Sequence, residues 1–343
     1  MQKITNKLIT WYQENKRDLP WRKTKNPYYI WISEIMLQQT RVEAVKEYYE
    51  RFIKKLPTLK DLANVEEDEL LKLWEGLGYY SRVRNMQKAA KMLVSEGKEN
   101  LPNTKKELLA LPGIGEYTAG AILSIAFDKP TVAIDGNVYR VIGRVYKIDA
   151  SISNKATFPI YEEVLQKLLP KQNASDFTQS FMDLGSLICT PKNPKCALCP
   201  LQKDCKAFKT NTQELYPVKD KKVSKKIEER NIYLYIYKDK VAIQKRKENG
   251  LLASMYEFPN TLESASLIDI ENDLSERNIP YKSVLEIGEV KHIFSHKVWY
   301  MKGYLIELKK PLKEYMWVTK QELVEKYSIP SAFSYFTEFL MSR

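Results

Sequence analysis

Two carboxylates in this sequence have neighbours that suit acid and base chemistry. Glu34 lies within Ile30-Trp-Ile-Ser-Glu-Ile-Met-Leu37, so helical spacing surrounds it with apolar side chains. Removal from water raises the pKa of a carboxyl group, which makes Glu34 a candidate general acid near neutral pH. The alternative is a partly buried glutamate paired with a cation such as Arg41.

The second carboxylate, Asp135, ends Pro130-Thr-Val-Ala-Ile-Asp135 and precedes a helix that starts near Gly136. A helix N-terminus and the neighbouring amide of Asn137 favour its ionised form, although Asp135 could also be only a helix cap. A protonated acid beside an ionised carboxylate suits cleavage of a glycosidic bond. The acid protonates the departing base, and the anion stabilises an oxocarbenium-like sugar.

The four cysteines are spaced C-x6-C-x2-C-x5-C and are the candidate metal ligands: Cys189, Cys196, Cys199 and Cys205. Clustered cysteines of an intracellular protein bind metal more often than they form disulfides, and thiolate ligation allows zinc or an iron–sulfur cluster. One CxxC with a lone cysteine on each side, in a proline-rich loop, favours a 4Fe–4S cluster over zinc.

Histidine offers little to this chemistry. His292 and His296 are the only two histidines, so a histidine triad or a His-built metal centre is excluded from the first 290 residues. Acid and base chemistry there must use Asp, Glu, Lys or Tyr.

Composition sets wider limits. A chain of 343 residues with 44% hydrophobic residues is large enough for two globular domains. Its formal charge of +12 suits a polyanion such as DNA, although a charge surplus also aids solubility. The sequence shows neither a signal peptide nor a long apolar segment, so we expect a soluble cytoplasmic protein with no membrane contact.

The pattern along the chain changes near residue 215. The first part is helical, with segments expected over 27–55, 59–74, 81–96, 104–110, 116–126, 136–145, 158–168 and 175–187. The charged stretch Lys219–Arg230 indicates a linker, assigned to 216–229. Strands are expected at 232–237, at 241–246 and on both sides of Ser295-His296, followed by helices after Trp317.

A glycine-rich turn, Leu111-Pro-Gly-Ile-Gly-Glu-Tyr-Thr118, separates two helical patterns. Gly113 and Gly115 leave backbone amides accessible at the start of the next helix, which suits a phosphate. A tight turn between helices explains a lone GxG equally well. Leu-Pro-Gly-Ile-Gly between helices is, however, typical of the helix–hairpin–helix motif, which binds the DNA backbone.

This turn, an aspartate about 20 residues later and the cysteine spacing together resemble helix–hairpin–helix base-excision glycosylases. Within that superfamily the chain most resembles the adenine DNA glycosylase family. The resemblance implies an all-α glycosylase domain with an iron–sulfur loop over 1–215, with DNA bound between its two subdomains. It divides this domain into a six-helix barrel (23–132) and an iron–sulfur subdomain (1–22 and 133–215).

The position of Tyr117 distinguishes this chain from bifunctional relatives. Those relatives carry a lysine there that attacks the sugar and then cleaves the strand, so this chain lacks the Schiff-base nucleophile. The resemblance implies that Glu34 protonates adenine N7 and later activates water, while Asp135 stabilises the sugar cation beside Asn137 and Tyr117.

The resemblance also assigns further contacts. Those to DNA are Gln39, Thr40, Leu77, Tyr79, Gly113 and Gly115, and Gln39 and Tyr79 enter the base stack as the adenine flips. The adenine pocket is assigned to Arg17, Trp21 and Arg22. Tyr79 and Trp21 could instead be core residues.

The segment Leu251-Leu-Ala-Ser-Met-Tyr-Glu-Phe-Pro259 is similar to the C-terminal domain of this family, but no REx2EExG hydrolase box follows it. Residues 230–343 thus resemble an α+β Nudix-like domain without the hydrolase box, which implies recognition rather than pyrophosphate cleavage. Phe294, Ser295 and His296 are assigned to sensing 8-oxoguanine; spacing alone indicates an ordinary hairpin tip. The expected partner is therefore double-stranded DNA with an A:8-oxoguanine or A:G mispair, bound by a monomer associated with the nucleoid. Two alternatives remain: a lyase acting on oxidised pyrimidines, and a non-catalytic iron–sulfur protein that binds DNA.

Overall fold

The computed structural model describes residues 2–220 and 224–343, and contacts divide these into two compact units. The first unit contains residues 2–64 and 84–220, and the second contains residues 65–83 and 224–343. Within the described residues, no helix is both long enough and apolar enough to cross a bilayer.

The first unit is helical. Its helices are α1 (Gln2–Asn15), α2 (Pro27–Met36), α3 (Val42–Lys55), α4 (Leu59–Asn64), α6 (Ser81–Ser95, from Arg84 onward), α7 (Lys105–Leu109), α8 (Glu116–Phe127), α9 (Gly136–Tyr146), α10 (Phe158–Gln166), α11 (Ala174–Leu187) and α12 (Lys206–Lys209). A core shared by α1, α9, α10 and α11 contains Leu8, Val141, Tyr161 and Phe181. The N-terminal helix therefore packs with the region that carries the cysteines.

The long helix predicted over Pro27–Lys55 is wrong. Asn26 caps α2, accepting a bond from the Tyr28 amide at 2.9 Å, but the helix ends at Met36 and α3 begins at Val42. Between them Gln39 has φ of +60°, a left-handed conformation that interrupts the helical hydrogen-bond ladder. The predicted helix over 59–74 is likewise divided, because α4 ends at Asn64.

The second unit is built on a seven-stranded sheet. The strands are β1 (Lys226–Tyr237), β2 (Lys240–Lys245), β3 (Tyr256–Glu257), β4 (Asn260–Thr261), β5 (Tyr281–Ile293), β6 (Lys297–Leu308) and β7 (Met316–Thr319). Their order is β3-β2-β1-β6-β5, with β4 on β1 and β7 on β2. Strands β1 and β6 are parallel and the other pairs antiparallel, and residues 294–296 join β5 to β6.

The unit's helices are α5 (Glu67–Trp74), α13 (Leu267–Glu276), α14 (Lys320–Glu325) and α15 (Ser334–Met341). Helix α5 lies in the segment that the sequence assigned to the N-terminal domain. Its Asp68 accepts hydrogen bonds from Lys245 at 2.8 Å and from the Tyr256 hydroxyl at 2.9 Å. These long-range bonds explain why α5 belongs to the second unit.

The predicted linker over 216–229 is more ordered at both ends than its charge indicates. The Val218 carbonyl accepts a hydrogen bond from the Ile152 amide at 3.0 Å, and β1 already begins at Lys226. Residues 221–223 of this stretch lie outside the described residues.

Candidate active site

A cleft of about 900 Å³ in the first unit brings together most of the residues predicted to react. Its wall includes the proposed catalytic residues, the proposed base pocket and the turn after α2: Glu34, Tyr117, Asp135, Asn137, Arg17, Trp21, Arg22, Gln39 and Thr40. The loop at residues 17–22, helices α2 and α8, and the N-terminus of α9 position these side chains.

Glu34 lies in the last turn of α2 and is buried, with 3% of its surface exposed. The Tyr117 hydroxyl donates a hydrogen bond to Glu34 Oε2 at 2.6 Å. Burial raises the pKa of Glu34 to about 7; the Tyr117 bond opposes the shift, Asp135 adds to it, and Arg22 also opposes it. The glutamate can therefore hold and release a proton near neutral pH.

Asp135 is the N-cap residue of α9, and its carboxylate accepts two hydrogen bonds. Its Oδ1 accepts from the Val138 amide at 2.8 Å, and its Oδ2 accepts from Asn137 Nδ2 at 2.7 Å. Both bonds favour the ionised form of Asp135, which is the direction that the sequence predicts for them. Burial raises the pKa of Asp135, while the bonds from Val138 and Asn137 only oppose that rise.

The two carboxyl groups are electrostatically coupled, because the charge of Asp135 raises the pKa of Glu34. Two nearby carboxyl groups in a buried site resist becoming ionised together. Asp135 has the better stabilised anion, since it accepts two N–H bonds while Glu34 accepts one O–H bond. The cleft therefore favours a proton on Glu34 and a negative charge on Asp135.

Sequence reasoning missed Arg140, which holds the Asn137 side chain that donates to Asp135. Its Nη2 donates to Asn137 Oδ1 at 2.7 Å and to the Gly185 carbonyl at 2.8 Å, and its Nε donates to the Cys189 carbonyl at 2.6 Å. Arg140 thus links the backbone of the cysteine loop to the amide that holds Asp135. Its position three residues after Asn137, on the same helix face, is a signal that the sequence offered.

Sequence reasoning also missed Asp183, to which both arginines of the proposed base pocket are bound. Arg17 and Arg22 form salt bridges with it at 2.6 Å and 2.7 Å.

Trp21 is 4% exposed and packs edge-on against Tyr49 with ring centroids 5.4 Å apart. Trp21 is therefore both a core anchor and part of the cleft wall.

The predicted DNA-backbone turn is exposed at both glycines. Gly113 has φ of +79°, and an added Cβ there would lie 2.7 Å from Asn85 Cβ, so glycine is needed for both conformation and space. Gly115 is the N-cap of α8 and has no side chain that could cover the helix amides. Gln39 is exposed as well, at the turn between α2 and α3.

In the second unit, Tyr79 is 45% exposed and its hydroxyl lies 3.2 Å from Ser295 Oγ. Phe294 packs edge-on against Trp299 with ring centroids 4.7 Å apart, whereas Ser295 and His296 are exposed.

Leu77, predicted to contact DNA, is only 6% exposed. It packs as an interior residue, as expected of an aliphatic side chain beside a tight turn.

The four cysteines line one cavity in the first unit, together with the buried Arg144. Within the described residues, no group of three metal-binding side chains is suited to a single ion. Arg144 Nη1 donates to Cys189 Sγ at 3.3 Å, which suits a thiolate. A cubane cluster takes one thiolate at each of its four irons, so four cysteines that line one cavity fit a 4Fe–4S group.

Three family models match the chain. Residues 32–170 match the HhH-GPD superfamily of base excision DNA repair proteins, residues 189–205 match the iron-sulfur binding domain of endonuclease III, and residues 232–338 match the NUDIX domain. A thermostable thymine-DNA glycosylase has a similar structure, with 30% identity, a TM-score of 0.56, and coverage of 60% of this chain and 95% of its own.

Curated relatives match over most of the chain. The adenine DNA glycosylase of Buchnera aphidicola subsp. Baizongia pistaciae is 37% identical, covering 88% of this chain and 86% of its own length. The adenine DNA glycosylase of Homo sapiens is 34% identical, covering 92% of this chain and 70% of its own.

The helical fold and these matches define a base-excision DNA glycosylase, a hydrolase of N-glycosyl bonds, whose cysteine loop holds a 4Fe–4S cluster. More specifically, the chain belongs to the adenine DNA glycosylase family.

Proposed function

We propose that this glycosylase removes adenine paired with 8-oxoguanine or guanine, without cleaving the DNA strand. The observation that carries the proposal is Glu34, a buried acid with a pKa raised to about 7, in the same cleft as Asp135. A protonated carboxyl can activate a purine as a leaving group, and a second carboxylate can stabilise the sugar cation that remains.

In the proposed reaction the adenine flips into the cleft and Glu34 donates its proton to N7. The bond between C1′ and N9 breaks, its electron pair moves into the purine, and free adenine leaves. Asp135 stabilises the oxocarbenium-like sugar, held in place by Asn137. The Glu34 carboxylate then accepts a proton from the water that adds to C1′, which leaves an abasic site and restores the acid.

Other residues position the substrate in this proposal. Gly113 and Gly115 bind the DNA backbone, and Gln39 and Tyr79 enter the stack as the adenine leaves it. The cluster would cross-link the loop at 189–205 and so fix the Cys189 carbonyl that Arg140 contacts. The protein would act as a monomer on DNA in the cytoplasm.

Recognition of the opposite base is assigned to Phe294, Ser295 and His296. Guanine and 8-oxoguanine differ at N7 and C8, where a serine hydroxyl can discriminate by hydrogen bonding. The hydrogen bond between Tyr79 and Ser295 supports this assignment, because it puts Tyr79, which is proposed to enter the base stack, beside the proposed sensor Ser295. The same bond holds Ser295 before it meets DNA.

The proposal is tested by identifying the product released from duplexes that contain A:8-oxoguanine, A:G or A:T. We expect free adenine from the first two, intact strands until alkali is added, and no release from A:T. Glu34→Gln should bind A:8-oxoguanine DNA and release no adenine, while Glu47→Gln, an exposed glutamate on α3, should match wild type.

Two results would contradict the proposal: full activity of Glu34→Gln, or failure of the wild type to release adenine from any mispair. Borohydride trapping of a protein–DNA adduct at high yield would instead favour the lyase alternative. Strong binding to DNA with no base release at all would favour the non-catalytic alternative.

A further inference from the structure

A buried carboxylate outside the proposed catalytic pair lies behind the wall of the cleft. Asp183 on α11 has 0% of its surface exposed. On the same helix Gln179, Met182 and Ser186 line the cleft, and residues 179, 182, 183 and 186 share one face of a helix. A buried carboxylate is costly unless charged donors surround it.

Arg22 supplies the first set of donors. Its Nη1 donates to Asp183 Oδ2 at 2.7 Å and its Nη2 donates to Oδ1 at 2.8 Å, which is a bidentate pair. Nη1 also donates to the Arg17 carbonyl at 3.1 Å, and the guanidinium lies over the Tyr12 ring at 5.3 Å. These contacts fix both the plane and the position of the Arg22 guanidinium.

Arg17 supplies the second set. Its Nε donates to Asp183 Oδ1 at 2.7 Å, and its backbone amide donates to Oδ2 at 3.2 Å. Burial would raise the pKa of Asp183, but the bonds and charges of Arg22 and Arg17 together lower it. Asp183 therefore stays ionised and carries a negative charge between the guanidinium groups of Arg17 and Arg22.

The geometry points to Asp183 as a positioning residue that holds Arg22 and Arg17 at the cleft wall and offsets their charge. The inference rests on the proposed function. Without Asp183, Arg22 would be free to pair with Glu34 or Asp135, which line the same cleft. Such a pair would consume the proton donor or the stabilising anion.

The charge balance around Arg22 predicts in which direction the pKa of Glu34 shifts when Asp183 is replaced. Arg17, Arg22 and Asp183 sum to +1, and Asp183→Asn would make the sum +2. The charged and titratable groups that act on Glu34 are Tyr117 of α8, Asp135 before α9, and Arg22, whose charge lowers the pKa of Glu34. A less compensated Arg22 would therefore make Glu34 lose its proton at lower pH.

The test is the pH dependence of single-turnover adenine release from A:8-oxoguanine DNA by Asp183→Asn. We expect the rate to fall about 10- to 100-fold, as misplaced groups in an active site usually cost. We also expect the decline at high pH to move to lower pH by on the order of one unit. Asp176→Asn, a less buried aspartate on the same helix, is the matched control and should keep the wild-type profile.

A double-mutant cycle with Arg22→Ala separates positioning from general damage. If Asp183 acts through Arg22, Asp183→Asn should cost little more in the Arg22→Ala background. Fully additive losses, or an unshifted profile in the single variant, would overturn the inference. A wild type that releases no adenine would instead overturn the proposed function itself.

If Asp183→Asn does not fold, Arg17→Gln tests the same inference. Arg17→Gln retains the bidentate pair with Arg22 and removes one positive charge, which brings the sum to 0. The decline at high pH should then move to higher pH, by less than one unit. No shift, or a shift to lower pH, would overturn the inference.

Discussion

At the scale of single residues, the sequence predicted the environment of Glu34 more fully than that of Asp135. Glu34 has apolar neighbours on its own helix, so its desolvation followed from spacing along α2. Asp135 lines a cleft whose wall is formed by distant parts of the chain, and burial there raises its pKa against the effect of the helix cap. The local pattern therefore predicted the raised pKa of Glu34, but it did not show the burial that opposes ionisation of Asp135.

The raised pKa of Glu34 predicts a stability change with pH. An unfolded glutamate ionises above 4.5, whereas folded Glu34 keeps its proton until about pH 7, so the glutamate destabilises the fold increasingly across that window. Glu34→Gln cannot ionise, and its amide oxygen can still accept the Tyr117 hydroxyl. The variant should match wild type at low pH and gain about 3 kcal/mol above pH 7.

Urea unfolding of wild type and Glu34→Gln, at about pH 5 and about pH 8, measures this difference. Glu47→Gln, which is exposed, controls for the loss of a charge. A stability difference that does not grow between the two pH values would show that Glu34 titrates normally.

At the scale of elements, the close contact of α9 and α11 positions Asn137, which donates a hydrogen bond to Asp135, the proposed catalytic aspartate. An added Cβ on Gly185 would lie 2.6 Å from Asn137 Cβ, and the Gly185 carbonyl also accepts a hydrogen bond from Arg140. Neither contact was visible in the sequence, because residues 137 and 185 meet only through helix packing. The break between α2 and α3 was missed for a related reason: a glutamine in left-handed conformation has no sequence marker comparable to glycine.

Gly185→Ala should therefore displace Asn137 and weaken its bond to Asp135. We expect a stability loss of about 1–3 kcal/mol from overpacking and at least about a 10-fold slower adenine release. Thermal unfolding and single-turnover kinetics measure the two effects separately. Wild-type kinetics in a folded variant would mean that Asn137 does not hold Asp135 for catalysis.

At the scale of the whole molecule, the sequence predicted the helical first part, the cysteine loop and the hairpin that carries Ser295. It did not predict that residues 65–83 belong to the second unit. That grouping depends on bonds such as those of Asp68 to Lys245 and Tyr256, between residues far apart in sequence. Local composition carries no record of such pairs.

This grouping predicts that Asp68 affects selectivity more than stability. The Asp68–Lys245 pair is about half exposed, so Asp68→Asn should cost only about 1 kcal/mol or less. Looser attachment of α5 should displace Tyr79 relative to Ser295, and lower the rate on A:8-oxoguanine several-fold while leaving A:G unchanged. Asp239→Asn, an exposed residue of the same unit, is the control.

Paired kinetics on the two duplexes measure the selectivity of Asp68→Asn directly. An equal loss on both duplexes would indicate general damage rather than altered recognition.

The proposed role of protonated Glu34 in base removal is tested most directly by the pH dependence of single-turnover adenine release. We expect the rate to fall as pH rises through about 7, and we expect no release by Glu34→Gln at any pH. A rate that increases across this range, or that survives in Glu34→Gln, would contradict it.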